Sequence, residues 1–335
     1  MTNTRIETVV TSTTMRLADV HPPSRVLAAW ERKKRNNVGA HWLVEFLAEM
    51  FGVFLYTYAG TGSTAAYVLG NLSNIPNLGN LLQVGMAYCI GVVLALVLCA
   101  RVSDGHFSSG ITLVMVAFRK CPPLKGLRLI IAQILGAYIA CLLIYVQYKD
   151  LIGPIEAALK AEGVYDAVQF TAQGPAGIFA LYASPTANLG HVFLNEFVTD
   201  FTLGVAIFGA LDPANDLVPP FMAPWVIAFT YAFVVWGYAP AALAANTARD
   251  VGGRLAAITI WGRAASGGSY AAIAALTNIP ATALASIFYQ FVLADTNRPL
   301  SAAHQEHIAL HGAQSAERSE RTSSVESLDE KQGAV

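Results

Sequence analysis

Six apolar runs, each near the length that crosses a bilayer, constrain this chain more than any other feature. A helix needs about 20 mostly apolar residues to traverse the hydrocarbon. The runs fall at 42–69, 82–100, 127–148, 192–211, 221–238 and 268–293. Backbone amides have no water to bond at that depth, so runs of this length predict an all-α membrane protein with six spans. Composition agrees: 55% of the 335 residues are hydrophobic and 13% charged, against roughly a quarter charged in a soluble domain. Two shorter apolar segments, 108–118 and 246–260, follow the second and fifth runs. Each opens with small polar residues suited to capping a helix. They read either as interfacial loop helices or as re-entrant half-helices, which membrane depth tolerates only where protein and a pore surround them.

A net charge of -1 supplies no basic field for nucleic acid. The cysteines, Cys89, Cys99, Cys121 and Cys141, lack metal-site spacing and a paired pattern, and read as reduced packing residues. Residues 1–38 are polar and end in the basic cluster Arg32 to Arg35, with no cleavable signal pattern, so the first span is expected to direct its own insertion.

The order span, span, short segment, span occurs twice. The first copy opens with Glu45 and Glu49 around Phe46-Leu47-Ala48, the second with Asn195-Glu196-Phe197 and Asp200. Three spans per copy is odd, so the second copy enters the membrane inverted relative to the first. Inverted repeats place their site near the midplane, with half-helix N-termini pointing at it. Basic residues before span one, and Arg101, Arg119, Lys120, Lys125 and Arg128 between spans two and three, predict cytoplasmic flanks and both termini cytoplasmic. The loop carrying Asp212 and Asp216 adds nothing to that assignment. Arg249, Arg254 and Arg263 fall on the outer side, where they read as re-entrant or rim residues.

The stretch from Leu243 to Leu255 sets Asn246, Arg249, Asp250 and Arg254 in an otherwise apolar sequence. An ionisable residue at membrane depth costs about 3 kcal/mol or more and persists mainly where it lines a path or binds something. Asn246-Thr247-Ala248-Arg249-Asp250-Val251-Gly252-Gly253-Arg254 resembles the second Asn-Pro-Ala motif of the major intrinsic proteins, the aquaporins and glycerol facilitators. Thr247 and Gly253 stand where prolines are usual. Gly105-His106-Phe107 and Thr112-Leu113 resemble the first signature, its triplet changed to Ser108-Ser109-Gly110. Glu49, Glu196, and Asp212-Pro213-Ala214-Asn215 match further family positions, the last with Asp250 on the glycerol-facilitator side; so does the loop Phe179 to Pro185. The resemblance covers roughly residues 40–295.

It implies six transmembrane helices and two re-entrant half-helices in an inverted repeat, forming a passive channel for water or small uncharged solutes such as glycerol, not an enzyme, without cofactor or metal. Two half-helix N-termini bring positive dipole ends of about half an elementary charge each to the centre, repelling cations. Ser108, Ser109, Gly110, Asn246, Thr247 and Ala248 are the central motif residues. Asn246 would offer amide donors and Ser108 would cap and offer a hydroxyl. The selectivity filter falls on Arg249, Tyr88, Leu243 and a span-five residue, Phe233 or Val234, between which spacing does not decide. Ordinary helix packing is the competing reading for Tyr88 and Leu243; for Arg249 it is a salt bridge to a residue such as Asp250. Glu49 and Glu196 would be structural, accepting loop N–H groups. His106 reads as a packing or hydrogen-bonding residue and His191 as interfacial.

The implied organisation is a cytoplasmic tail at 1–38, a channel domain at 39–295 and a second tail at 296–335, both tails expected to be disordered. Within the domain lie a first repeat at 40–148, a connecting loop at 149–190 and a second repeat at 191–295. Family resemblance further implies a homotetramer and, as its usual site, the plasma membrane, an intracellular membrane being the alternative. Two other functions compete: a structural or adhesive protein that kept the fold while its pore closed, and a coupled transporter, for which Glu45, Glu49, Glu196 and Asp200 are the only carboxylates in the spans.

Overall fold

The computed structural model of the chain describes residues 17–310, and among these all regular structure is helical. Two units are distinguished, the described residues up to 42 and those from 43 onward. In the first, the Ser24 hydroxyl accepts from Leu27 N at 3.3 Å and starts a helix over Arg25–Asn36. The cap and a run of good helix formers give this segment, which lies in the tail expected to be disordered, a local reason to coil. The tail expected at 296–335 likewise carries helix at 302–310, and its serines from 319 onward lie outside the described residues.

Five helices are long and apolar enough to cross a membrane: Val38–Leu72, Leu81–Ser103, Pro123–Ala161, Leu189–Ala210 and the segment Tyr270–Leu293. The fifth span in chain order, Ala223–Tyr238, has 16 residues, none of them charged, and a 3-10 turn over Ala239–Ala241 prolongs it. Pro240 in that turn cannot continue an α-helix. The sixth span is broken between Tyr270–Leu276 and Asn278–Phe288. Pro280 supplies no N–H for the carbonyl four residues back, which places the break at the one turn rich in polar groups. The third span runs through Ala161, well past residue 148, so the segment expected as a loop begins as helix. Ile152 and Leu159 are buried on its inner side, and Glu156 Oε1 accepts from Trp261 Nε1 at 2.6 Å and Gln169 Nε2 at 2.9 Å, holding the connection against the second repeat.

The short segments are the helices Ser109–Ala117 and Thr247–Trp261. They pack crosswise: the first against the sixth span as well as the third, the second against the third. Spans two and five pack together across the two repeats, while four and six pack within the second. Close approach at these crossings rests on glycine. A Cβ on Gly252 would strike the backbone of Ile134, and one on Gly91 the backbone of Tyr56. Large apolar residues face outward along every span, among them Leu98, Val146, Phe193 and Phe229, as a lipid-facing surface requires.

Candidate functional site

Before each half-helix the chain makes the same unusual turn. Phe107 has φ 48° and Ala245 φ 57°, both left-handed, and each immediately precedes its motif. L-residues adopt this region at some cost, so something must hold them there. Phe107 N donates to Glu49 Oε1 at 2.6 Å, and Ala245 N to Glu196 Oε1 at 2.8 Å. Both glutamates are fully buried. The turns aim the Phe107 and Ala245 carbonyls at the centre, where Tyr56 Oη donates to the first at 3.1 Å and Tyr231 Oη to the second at 3.2 Å.

Asn246 works on both sides of this junction. Its Oδ1 accepts from Ala248 N at 2.9 Å and Arg249 N at 3.3 Å, capping the second half-helix. Its Nδ2 donates to the Phe107 carbonyl at 2.9 Å, tying the two loops together. Ser108 sits at the N-cap of the first half-helix with extended backbone, yet its hydroxyl makes no cap bond; it donates to Asn278 Oδ1 at 3.3 Å instead. The capping role expected for Ser108 is therefore corrected: its hydroxyl is turned to Asn278, entering from the sixth span, and accepts from no half-helix N–H. Ser109 donates to Gln133 Oε1 at 3.2 Å, while Ser109, Gly110, Thr247 and Ala248 are packed away from the cavities described next.

Two cavities meet at this junction. One, about 300 Å³, is lined by Tyr56, His106, Ser108, Asp200, Asn278 and Thr282 among others and reaches Lys120. His106 Nδ1 lies 3.2 Å from Thr112 Oγ1, which holds the ring against the first half-helix. The other, about 470 Å³, is lined by Tyr88, Leu243, Arg249 and Val235. Tyr56, Tyr231, Ala245 and Asn246 belong to both walls, and the two tyrosine rings stand 6.3 Å apart. Sequence reasoning missed both tyrosines. They are apolar-looking positions within apolar runs, and nothing in spacing distinguishes them from packing aromatics.

Arg249 is 3% exposed and bonded on three sides. Nε donates to Tyr88 Oη at 3.1 Å, Nη1 to the Phe179 carbonyl at 2.7 Å and Nη2 to Thr61 Oγ1 at 3.4 Å. The guanidinium has more N–H groups than these partners use, so a positive charge with spare donors faces the larger cavity. The competing salt bridge to Asp250 is absent: Asp250 pairs with Arg254, Oδ1 to Nη2 at 2.6 Å. Arg254 also donates to the carbonyls of Ser266 and Leu181, so Arg254 and Asp250 brace the loop while Arg249 stays available. A side chain on Gly253 would run into the Phe179 carbonyl that receives Arg249. The glycine in place of the usual proline thus has a local reason. Nearby, Tyr182 donates to the Ala265 carbonyl at 2.9 Å, and burial pushes its phenol up to about 12, so it remains a fixed donor at neutral pH.

Of the two span-five candidates, neither lines a cavity. Phe233 is 40% exposed on the outer face, and Val234 is buried among Leu203, Leu243 and Ala245. Tyr231 and Val235, one helical turn apart, line the larger cavity instead. The register slipped because Gly237 to Leu243 includes the 3-10 turn and a left-handed Ala242, φ 68°, which changes the rise per residue. Among the described residues no His, Cys, Asp and Glu cluster suits a metal ion, and the cysteines are free and buried.

The family model described as major intrinsic protein matches residues 37–304. Aquaporin-3 of Laccaria bicolor is 49% identical over 319 residues, covering 94% of this chain and 96% of that protein. Aquaglyceroporin-2 of Rhizophagus irregularis is 29% identical over 212 residues, 63% of this chain and 64% of its own length. The X-ray structure of the aquaglyceroporin from Plasmodium falciparum superposes with a TM-score of 0.63 at 18% identity, over 75% of this chain and 97% of that one, a likeness of fold. With its six spans and paired half-helices, the chain belongs to the major intrinsic protein family, an integral membrane channel for water or small solutes and not an enzyme.

Proposed function

We propose that solutes move along one path through the two cavities, past Arg249 on one side and Asn278 on the other, with Asn246 at the junction. The observation that carries this reading is that Asn246 lines both cavities while bonded to both loops. Its amide and the spare Arg249 donors offer hydrogen bonds to a passing oxygen, and the half-helix N-termini oppose cations. Tyr88, Leu243 and Val235 make the rest of the filter apolar, which suits the carbon face of a small polyol as well as water. Both termini are cytoplasmic in this reading, following the basic flanks, the assembly is a homotetramer with one path per subunit, and the plasma membrane is its site.

A second reading, a non-conducting structural protein, draws on the Tyr56 and Tyr231 rings 6.3 Å apart at the waist. Light scattering from vesicles containing the purified protein separates the two. Swelling under water and glycerol gradients faster than empty vesicles, with no sodium or proton gradient, is the expected result. Replacing Arg249 with Ala should raise solute flux by widening the filter. Folded protein with empty-vesicle rates for water, glycerol and urea, before and after that change, would favour the structural reading.

A further inference from the structure

The smaller cavity contains a buried carboxyl group that the described residues leave short of donors. Asp200, in the fourth span, is 1% exposed and contributes to the cavity wall, yet neither of its oxygens is met by a donor at full hydrogen-bond geometry among the described residues, the Asn278 side chain being the polar group beside it. Glu196, one turn earlier on the same helix, is a useful contrast, since its oxygens take the amides of Ala244 and Ala245. A buried carboxyl group left without donors is costly, so its presence calls for a partner that comes from outside the fold.

Around it the cavity is built for polar contact. Asn278 and Thr282 lie one turn apart on the sixth span and both line the wall. The Asn278 amide reaches both loops: Oδ1 accepts from Ser108 Oγ, and Nδ2 donates to the Ala245 carbonyl, each at 3.3 Å. Gly110 makes this possible, because a Cβ there would lie 2.5 Å from Asn278 Oδ1 and 2.9 Å from Thr282 Oγ1. The altered Ser108-Ser109-Gly110 triplet and the polar residues of the sixth span therefore fit one another. The first motif has lost its amide, and an amide from another helix stands beside it.

We propose that Asp200, Asn278 and Thr282 form a solute station in the smaller cavity that takes a neutral polyol through its hydroxyl donors. Adjacent hydroxyls can bond the two oxygens of the Asp200 carboxyl group, while Asn278 and Thr282 supply further polar contacts. Water can use the same groups but gains less from them, so the station favours polyol over water. This rests on the channel reading given above and adds a binding site to it.

The test compares glycerol and water permeability of vesicles carrying the full chain, together with the melting temperature of the detergent-solubilised protein as erythritol is titrated. Asp200→Leu should lower the glycerol-to-water ratio about tenfold, the size of a lost hydrogen bond. Asp200→Asn, which keeps an acceptor, and Thr282→Val should lower it less, and both serve if the leucine variant does not fold. Erythritol should raise the wild-type melting temperature saturably, and the Asp200 variants should lose the saturable part. A ratio unchanged in every folded variant overturns the station even where the channel conducts. Should the wild type conduct nothing, the channel reading fails separately, and the station then stands or falls on the erythritol titration. Equal shifts in wild type and variants would overturn it.

Discussion

Glu49 in the first repeat and Glu196 in the second occupy matching places and are held in different ways. Glu49 is embedded in side chains: Ser103 Oγ donates to it at 2.6 Å and Gln133 Nε2 at 2.7 Å, with a single backbone amide from Phe107. Gln133 extends the network to Thr112 and Ser109. Glu196 takes backbone amides, from Ala244 and Ala245, without a comparable network. The half-helices differ in the same sense. Asn246 caps the second directly, whereas Ser108 caps nothing and the first half-helix leans on the sixth span. One pseudo-symmetric architecture is thus maintained by two kinds of bond: side chains that can re-pair, and backbone that cannot.

The largest expected effect breaks or upholds that contrast. Glu196→Leu strands two buried amides, each costing about 1–3 kcal/mol, and should sharply reduce monodisperse protein in detergent. Glu49→Leu should lose less, because Ser103 and Gln133 can rotate to other acceptors. Gln at either position should recover part of the yield. Equal losses for the two leucine variants would mean the side-chain network confers no such tolerance.

Next in size is the pair of caps. Asn246→Ala removes a cap, worth about 1 kcal/mol, and also the bond to Phe107. Ser108→Ala removes only a long bond to Asn278. Melting temperatures should therefore fall clearly for the first and hardly for the second; a matching fall would show that Ser108 carries more of its half-helix than its geometry indicates. The smallest effect is expected at Lys125, which bridges Glu45 at 2.9 Å and Asp104 at 2.6 Å. With Asp104 largely exposed and Arg128 still beside Glu45 at 3.6 Å, Lys125→Met should cost under about 1 kcal/mol. A drop as large as that for Asn246→Ala would reveal the cluster as a structural clamp.

The repeat, the spans and the half-helices were legible because hydrocarbon imposes its period and length on sequence without regard to detail. That Arg249, Asn246, Tyr88 and Leu243 share one cavity wall was legible because spacing from the two motifs places them together. The span-five residue was not, since a left-handed Ala242 and a 3-10 turn displace the count between Val235 and Leu243. Tyr56, Tyr231 and Asn278 were hidden for another reason: their importance comes from a ring pair and a side-chain bond that cross the repeats, Asn278 with Ser108 being separated by 170 positions. The only trace in sequence is a polar Thr277-Asn278 beside Pro280 within an apolar run.

Conduction as proposed requires the two cavities to form one path past Leu243. Water and glycerol flux of wild type and Leu243→Trp, measured side by side in vesicles at matched protein content, tests this directly. An indole at 243 would fill the space between Tyr88, Val235 and Arg249, so both fluxes should fall toward the empty-vesicle rate while the protein remains folded. Undiminished flux of both solutes in a folded Leu243→Trp channel would contradict the account, because the path would then run elsewhere.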